Sequence, residues 1–193
     1  MKMKSKSGRI EMAWLSLQKQ KEIDGKIAEL KIRYNSGNPF TIAKAADLDV
    51  NLYDFGEKGR DIMGAIVFKG DKRFNFKKDT ILINKHKPER NQFFTLAHEL
   101  GHYFLNHSKE GVLFRIDFNS DEYSDDDEIR MQELEANYFA GALLMPKKTM
   151  LKYKDKLSIK DIADALNVSQ AAVATRIAWL ERNKEYGEQE LPR

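Results

Sequence analysis

The sequence predicts an α+β fold that is mostly helical, with a small and mostly antiparallel sheet and a helical appendage near the C-terminus. Long segments in the first, middle and last parts of the chain carry apolar residues at helical spacing. Between residues 50 and 84 the pattern changes to short apolar runs bounded by turn residues, which is typical of strands. The last part returns to helical spacing behind serine caps, which predicts a helix-turn-helix-like appendage.

The composition indicates a cytoplasmic protein with one main domain. At 193 residues the chain is long enough to bury a core, and 41% hydrophobic against 33% charged residues excludes a disordered chain. We expect no membrane span, because the chain has no run of about 18 apolar residues. Zero cysteines exclude disulfides and thiolate metal ligands. A net charge of +3 is too small to indicate nucleic-acid binding by itself.

The first half of the chain is predicted to form two helices and three strands. Apolar residues recur at helical spacing over 9–34, and the turn residues at 35–39 end that helix. A short helix is predicted at 42–46, and strands at 50–55, 62–69 and 80–84. We expect these strands to lie beside the next helix, where an edge strand can pair with an extended peptide.

The second half is predicted to be helical apart from one acidic segment. A helix begins at Pro88 and ends near Asn106, and another covers 128–145 before Pro146 stops it. Ser158 and Ser169 are the predicted N-caps of the last two helices. The acidic segment lacks periodicity, and we expect a solvated loop there, with a lid or a calcium-attracting patch as alternatives. Its acidic residues are Asp117, Asp121, Glu122 and the run from Asp125 to Asp127.

The chemistry is concentrated in the segment His98-Glu99-Leu100-Gly101-His102. Residues four apart lie one turn above each other on a helix, so both imidazoles can reach one metal ion. Two neutral imidazoles leave much of the charge of a zinc ion uncompensated, and a carboxylate usually completes such a site. Glu99 is then placed to accept the proton of a zinc-activated water and to return it to a leaving amine. The pattern predicts a zinc hydrolase; the alternative is a pair of buried histidines that donate to carbonyl groups.

The third ligand is expected to be a carboxylate on the following long helix, where Glu133 and Glu135 both qualify. We predict Glu133, because Asn137 lies four residues further on and shares its face. Asn137 can then hold a ligand histidine by its other ring nitrogen. The small residues at 140 and 141 are expected to let this helix approach the first one closely at Gly101.

With these residues the chain resembles the ImmA/IrrE family of metallopeptidases. The resemblance covers roughly residues 38–182, and the combination of motifs is far more specific than the two histidines alone. The matching segments are ILIN at 81–84, TLAHELGHYFL at 95–105, the pattern E-L-E-A-N-Y-F-A-x-x-L-L-M-P at 133–146 and IADALNVS at 162–169.

The resemblance implies a zincin-like core and an intracellular, gluzincin-like zinc endopeptidase. It also implies that His98 and His102 are ligands, that Glu133 is the third ligand and that Glu99 is the catalytic residue. The best-known members cut a DNA-binding repressor, so we expect a specific protein substrate, a repressor encoded nearby, whose cleavage releases transcription. The chain looks like the compact, mobile-element members, which lack the C-terminal sensor domain of radiation-response members.

Three residues are candidates for a second electrophile that stabilises the oxyanion: Tyr103, His107 and Tyr138. Two rival functions stay open. Residues 158–182 have helix-turn-helix spacing, as a DNA-binding regulator or a toxin-antitoxin component would, but their mixed charge argues against sequence-specific DNA binding. A protease fold that has lost activity and serves for binding is disfavoured by the intact motif.

The predicted domain organisation has four parts. They are a flexible basic tail at 1–8, a zincin-like catalytic domain at 9–146, a helical appendage at 147–185 that packs on the catalytic domain, and a tail at 186–193.

Overall fold

The structure is a computed structural model, and it describes residues 14–108, 112–116 and 127–187. The predicted basic tail at 1–8, the start of the first predicted helix at 9–13 and the last residues at 188–193 lie outside the described residues. The acidic segment lies outside them over 117–126, so the predicted loop, lid or calcium patch stays a prediction.

Seven α-helices and four strands form within the described residues. In chain order they are α1 (Leu17–Arg33), α2 (Pro39–Ala45), β1 (Asp49–Tyr53), β2 (Ile62–Val67), β3 (Thr80–Asn84), α3 (Glu89–Leu105), β4 (Val112–Ile116), α4 (Asp127–Leu144), α5 (Lys147–Tyr153), α6 (Ile159–Leu166) and α7 (Gln170–Gly187).

The four strands form one sheet in the order β1-β3-β2-β4. Strand β2 is antiparallel to β3 and to β4, whereas β1 runs parallel to β3. The predicted α+β class, mostly helical with a small and mostly antiparallel sheet and with C-terminal helices, is therefore confirmed. The sequence does not predict β4, because its five residues, VLFRI, are apolar apart from Arg115 and are too few for periodicity to distinguish a strand from a loop. Pairing with β2 makes it a strand.

Two predicted helix starts are wrong, and side-chain caps explain both. Among the described residues the first helix begins at Leu17, because the Ser16 hydroxyl accepts a hydrogen bond from the Lys19 N–H at 3.2 Å. The short helix begins at Pro39, three residues earlier than predicted. There the Asn38 side chain accepts from two backbone N–H groups, and proline suits the first helical position.

Helix α3 is the centre of the molecule, with the sheet on one side and α4 on the other. Its residues from Thr95 to His102 are all buried. One continuous apolar cluster joins α3 to β2 and β3, to α4 and to α1. Because this middle part of α3 is buried nearly all round, it can hold side chains rigidly between the sheet and α4. No helix in the described ranges is long and apolar enough to cross a membrane.

The contact of α3 with α4 is close at one glycine. A Cβ atom on Gly101 would lie 3.1 Å from the Ala136 Cα atom and 3.2 Å from the Phe139 Cβ atom. Gly101 therefore faces Ala136 and Phe139. The expectation for position 141 is wrong, because Gly141 faces the Arg176 side chain of α7. Glycine at 101 sets the distance between the two helices that carry the site.

The last helix, α7, packs on α4 and on the chain just before α1 through aromatic rings. The Trp179 ring of α7 lies 4.5 Å from the Trp14 ring and 5.2 Å from the Tyr138 ring, both edge-to-face. The Arg176 guanidinium is buried and donates to the Met145 carbonyl oxygen at 3.1 Å. These contacts hold α7 against the outer face of α4.

Candidate metal centre

One turn of α3 carries the three motif residues, and all three are buried. The exposed fraction is 0% for His98, 1% for Glu99 and 3% for His102. The two histidine rings lie 4.7 Å apart, as expected for residues one helical turn apart. Burial of three polar side chains is costly unless each has a partner, so their surroundings decide what they can do.

The two histidines and Glu133 turn their donor atoms to one point. The Nε2 atoms of His98 and His102 lie 2.9 Å apart. The Glu133 carboxylate lies 3.2 Å from the first and 3.1 Å from the second. Ligand atoms around a tetrahedral zinc ion at about 2.0–2.2 Å lie roughly 3.3 Å from one another. Two imidazole nitrogens and a carboxylate oxygen at this spacing fit such an ion, by chemistry and by separation.

The Glu133 carboxylate is held in its charged form. Burial on its own would raise its pKa, but the nearby imidazoles of His98 and His102 outweigh burial and hold the pKa of Glu133 well below its ordinary value. Its side chain is 22% exposed, whereas the two histidines are almost fully covered. The group of three is therefore open to solvent on the Glu133 side, and it carries the negative charge that a cation needs.

Asn137 holds the far side of the His98 ring. Its side-chain oxygen lies 3.0 Å from the Nδ1 atom of His98, so the ring N–H donates to the amide oxygen and leaves Nε2 free of a proton. Asn137 is one turn beyond Glu133 on α4. One face of α4 thus provides both a carboxylate at the donor cluster and an acceptor behind it.

His107 lies behind the second histidine. Its Nδ1 atom is 2.9 Å from the Nδ1 atom of His102, on the side of that ring turned away from Glu133. Its Nε2 atom is 3.2 Å from a carboxylate oxygen of Glu135. Burial and the neighbouring His102 lower the pKa of His107, although Glu135 acts in the opposite direction. Glu135 also lies 3.8 Å from the ammonium group of Lys19 on α1.

The carboxylate of Glu99 lies on the sheet side of α3, beside Gly64 of β2. A Cβ atom on Gly64 would lie 3.5 Å from the Glu99 Oε1 atom and 2.5 Å from the Thr95 Cγ2 atom. Glycine at this strand position therefore makes room for both side chains. The Thr95 hydroxyl is buried, one turn before Glu99, and has no hydrogen-bond partner within the described part of the chain.

The three predicted oxyanion candidates have different surroundings. Tyr138 donates to Asp24 at 3.3 Å, in the contact between α4 and α1. Burial raises the pKa of Tyr103, and so do the nearby charge and hydrogen bond of Asp79. Of the three, His107 contacts a residue of the donor cluster: its Nδ1 atom meets the far side of the His102 ring, and its Nε2 atom meets Glu135. An oxyanion role for any of them stays a prediction.

Sequence reasoning missed the partners of His107 and the place of Gly64. The His107–Glu135 contact joins residues 28 apart on different elements, and no periodicity links them. A signal for His107 exists, since Asn106 can end a helix in the left-handed conformation and turn the next residue back. Gly64 had a signal as well, because a glycine inside an apolar strand indicates close approach of another group.

Fold and donor set together define a metallopeptidase-like arrangement, in which a helix with two histidines meets a helix with a carboxylate. A family model, Peptidase_M78 (IrrE N-terminal-like domain), matches residues 66–178. The chain is 30% identical over 145 residues to "Uncharacterized immunity region protein 2" of Bacillus phage phi105, covering 73% of this chain and 80% of the phage protein. The chain therefore belongs to the Peptidase_M78 family, a metallopeptidase family, and the predicted resemblance to ImmA/IrrE proteins is confirmed.

A solved structure shares the fold. The match to a "Mycobacterium tuberculosis transcriptional regulator" has a TM-score of 0.53 at 15% sequence identity and covers 84% of this chain. The chain spans about half of that regulator, 47% of its length. At this identity the likeness concerns the architecture alone.

Proposed function

We propose that the chain is a zinc metalloendopeptidase with His98, His102 and Glu133 as the metal ligands. The observation that carries the proposal is that three ligand atoms from two helices lie within 4.8 Å of one another. Two histidines with one carboxylate are a usual protein donor set for catalytic zinc, with a fourth position left for water or substrate. Membership of a metallopeptidase family supports the same conclusion.

The residues of the chain divide the chemistry between them. When bound, zinc supplies a Lewis acid that lowers the pKa of water and polarises a carbonyl group. Glu99 accepts a proton from the attacking water while the water oxygen bonds to the carbonyl carbon of the substrate. Glu99 then gives that proton to the leaving amine as the peptide C–N bond breaks. Asn137 keeps the His98 ring turned so that Nε2 faces the donor cluster.

An extended peptide is the substrate shape that the sheet favours. Strand β4 is an outer strand of the sheet and pairs with β2, whose Gly64 lies beside Glu99. Among the described strands β4 has a neighbour on one side only, and its other edge can form main-chain hydrogen bonds to a peptide strand, a pairing that is independent of side-chain sequence. A peptide bound in this way would run past the carboxylate proposed as the proton acceptor.

We propose that the substrate is a DNA-binding repressor encoded nearby, and that its cleavage in the cytoplasm releases transcription of a mobile element. The support is the relative from Bacillus phage phi105, which is described as an immunity region protein.

Sequence-specific DNA binding is the weaker alternative. Of the side chains at 158–182 that could read bases, Arg176 is buried and donates to the Met145 carbonyl, so it is not presented to a ligand. Gln170 and Thr175 are exposed, so two of the three candidate base-reading side chains remain on this helix, fewer than the several base and phosphate contacts that a specific reader makes.

The test is to search the neighbouring genes for a repressor-like protein and to assay its cleavage by mass spectrometry of the products. Zinc-loaded wild type should cut at one position, and a chelator should abolish the reaction. Glu99→Gln should still bind zinc but turn over about 100- to 10,000-fold more slowly, because the proton acceptor is lost. His86→Ala, at a histidine 64% exposed and away from the donor cluster, should cut like the wild type. Undiminished cleavage by Glu99→Gln would refute the assigned chemistry.

A further inference from the structure

We propose that His107 and Glu135 are positioning residues that fix the tautomer and the orientation of His102. This inference rests on the proposed function, because it takes the Nε2 atom of His102 as a metal ligand. It concerns the opposite side of that ring, where a hydrogen-bonded chain leads away from the donor cluster through His107 to Glu135.

The direction of each hydrogen bond in this chain follows from the chemistry of imidazole. A neutral imidazole carries one N–H donor and one acceptor nitrogen. His102 needs Nε2 free of a proton to bind a metal, so its proton is on Nδ1 and is donated to Nδ1 of His107. His107 then accepts at Nδ1 and carries its proton on Nε2, which donates to Glu135 at 3.2 Å. Every donor in the chain meets an acceptor.

Burial of the three side chains keeps water from replacing any partner in this hydrogen-bonded chain. The exposed fraction is 4% for the His102 side chain, 5% for His107 and 14% for Glu135, so water cannot easily replace a lost partner. A buried N–H without an acceptor is costly, and the His102 ring would turn or change tautomer to avoid it. Either change moves Nε2 or protonates it, and both weaken metal binding.

The backbone places His107 for this contact. Helix α3 ends at Asn106, which has the left-handed conformation with φ 59°. The chain turns back there, and the His107 N–H donates to the His102 carbonyl oxygen at 3.1 Å. The imidazole of His107 is thereby brought beside the imidazole of His102. Glu135 reaches it from α4, two residues after Glu133.

The two ligand histidines are therefore held differently. Asn137 accepts directly from His98, whereas a second imidazole stands between His102 and its carboxylate. Glu133 and Glu135 serve the same centre from one helix, the first at the donor atoms and the second behind His107. Carboxylates and carbonyls behind metal-bound histidines usually change metal affinity about 10- to 100-fold when removed.

The experiment measures zinc dissociation constants by chelator competition and the visible spectrum of the cobalt-substituted protein. His107→Ala and Glu135→Ala should bind zinc about 10- to 100-fold more weakly and change the cobalt spectrum. His107→Gln and Glu135→Gln, which keep an acceptor in place, should recover most of the affinity. His86→Ala, the same change at an exposed histidine, should match the wild type in both measurements.

Two further measurements separate positioning from a general loss of stability. Glycine adopts the left-handed backbone readily, so Asn106→Gly should keep the zinc affinity of the wild type. Valine adopts it poorly, so Asn106→Val should lower zinc affinity as much as His107→Ala does. Imidazole nitrogen NMR of the zinc-loaded wild type needs no variant. It should find protons on Nδ1 of His102 and on Nε2 of His107.

The outcomes are distinct. Wild type that binds no zinc would refute the proposed function and this inference together. Wild type that binds zinc, with an unchanged dissociation constant and cobalt spectrum in folded His107→Ala, would refute the inference alone. An NMR result with the His107 proton on Nδ1 would do the same, because His107 could not then accept from His102.

Discussion

At the residue scale, two glutamates on α4 meet different histidines. Glu133 lies at the Nε2 atoms of His98 and His102, and Glu135 lies at Nε2 of His107. Residues two apart on a helix point about 200° away from each other, so both cannot reach one ion. The structure gives each glutamate a separate partner around one centre. Each ring nitrogen of His102 therefore leads to a carboxylate. Nε2 meets Glu133 directly, and Nδ1 is connected to Glu135 through His107.

A residue-scale prediction concerns Asn137. Asn137→Ala removes the acceptor of the His98 Nδ1–H group, and we expect zinc affinity to fall about 10- to 100-fold. Asn137→Asp keeps an acceptor at the same place and should stay within a few-fold of the wild type. Both are measured by chelator competition. Equal affinity of Asn137→Ala and wild type would show that the contact does not orient His98.

Helix spacing explains which of these residues the sequence can predict. His98, Glu99 and His102 lie in one local motif, and Glu133 with Asn137 share one helix face, so each set follows from the 3.6-residue period. That the two sets meet is a tertiary fact, which is expected from the need of zinc for a third ligand and which the resemblance to a known family also implies. The His107–Glu135 contact depends on the turn at Asn106 and on the crossing of α3 with α4, which no local pattern contains.

At the element scale, the site depends on how closely α3 and α4 pack. One helix carries the histidines and the other the carboxylate, so a shift between them separates the donor atoms. The nearest approach is at Gly101, where side-chain atoms would collide with the backbone of Ala136. The backbone of the facing helix cannot move aside as easily as the end of a flexible side chain can.

Gly101→Ala tests this packing. A Cβ atom 3.1 Å from the Ala136 Cα atom forces the helices apart, and we expect a loss of about 1–3 kcal/mol in the free energy of unfolding, together with weaker zinc binding. Gly25→Ala on α1 is the control, since a Cβ atom there meets nothing within 4 Å. It should be neutral or stabilise by about 0.5–1 kcal/mol. Urea denaturation compares the two; a stabilised Gly101→Ala would contradict the account.

The elements themselves are predictable to different degrees. The long helices α3 and α4 have strong apolar patterns and a proline at one end, and their predicted bounds agree with the structure within one or two residues. The β1–β3 pairing is harder to predict from the sequence, because β2 lies between these two strands along the chain. Strand order depends on tertiary contacts, which short alternating patterns do not encode.

At the scale of the whole molecule, one apolar core joins the site to the C-terminal helices. The cluster that contains Leu96 and Leu100 of α3 continues to Val173, Trp179 and Leu180 of α7. Aromatic contacts at Trp14 and Tyr138 connect α7 with the chain before α1 and with α4. We therefore expect the described helices to unfold together.

Trp179→Ala tests this coupling. Removing a ring that is 6% exposed should lower the free energy of unfolding by about 3–5 kcal/mol and shift a single transition. Ile159→Ala, at a residue 42% exposed on α6, should change it by less than about 0.5 kcal/mol. Circular dichroism during urea denaturation follows both variants. A second transition in the wild type would mean that the C-terminal helices unfold separately.

The central claim is that His98, His102 and Glu133 bind one zinc ion, and the most direct measurement is metal content after zinc reconstitution and dialysis. Wild type should retain close to one zinc per chain. Glu133→Ala should lose the zinc ion. Its zinc affinity should fall by more than about 100-fold, the upper end of the loss expected when a hydrogen bond behind a metal ligand is removed. Glu128→Ala, at an exposed glutamate earlier on α4, should retain the metal. Wild type without stoichiometric zinc, or Glu133→Ala with undiminished zinc, would contradict the account.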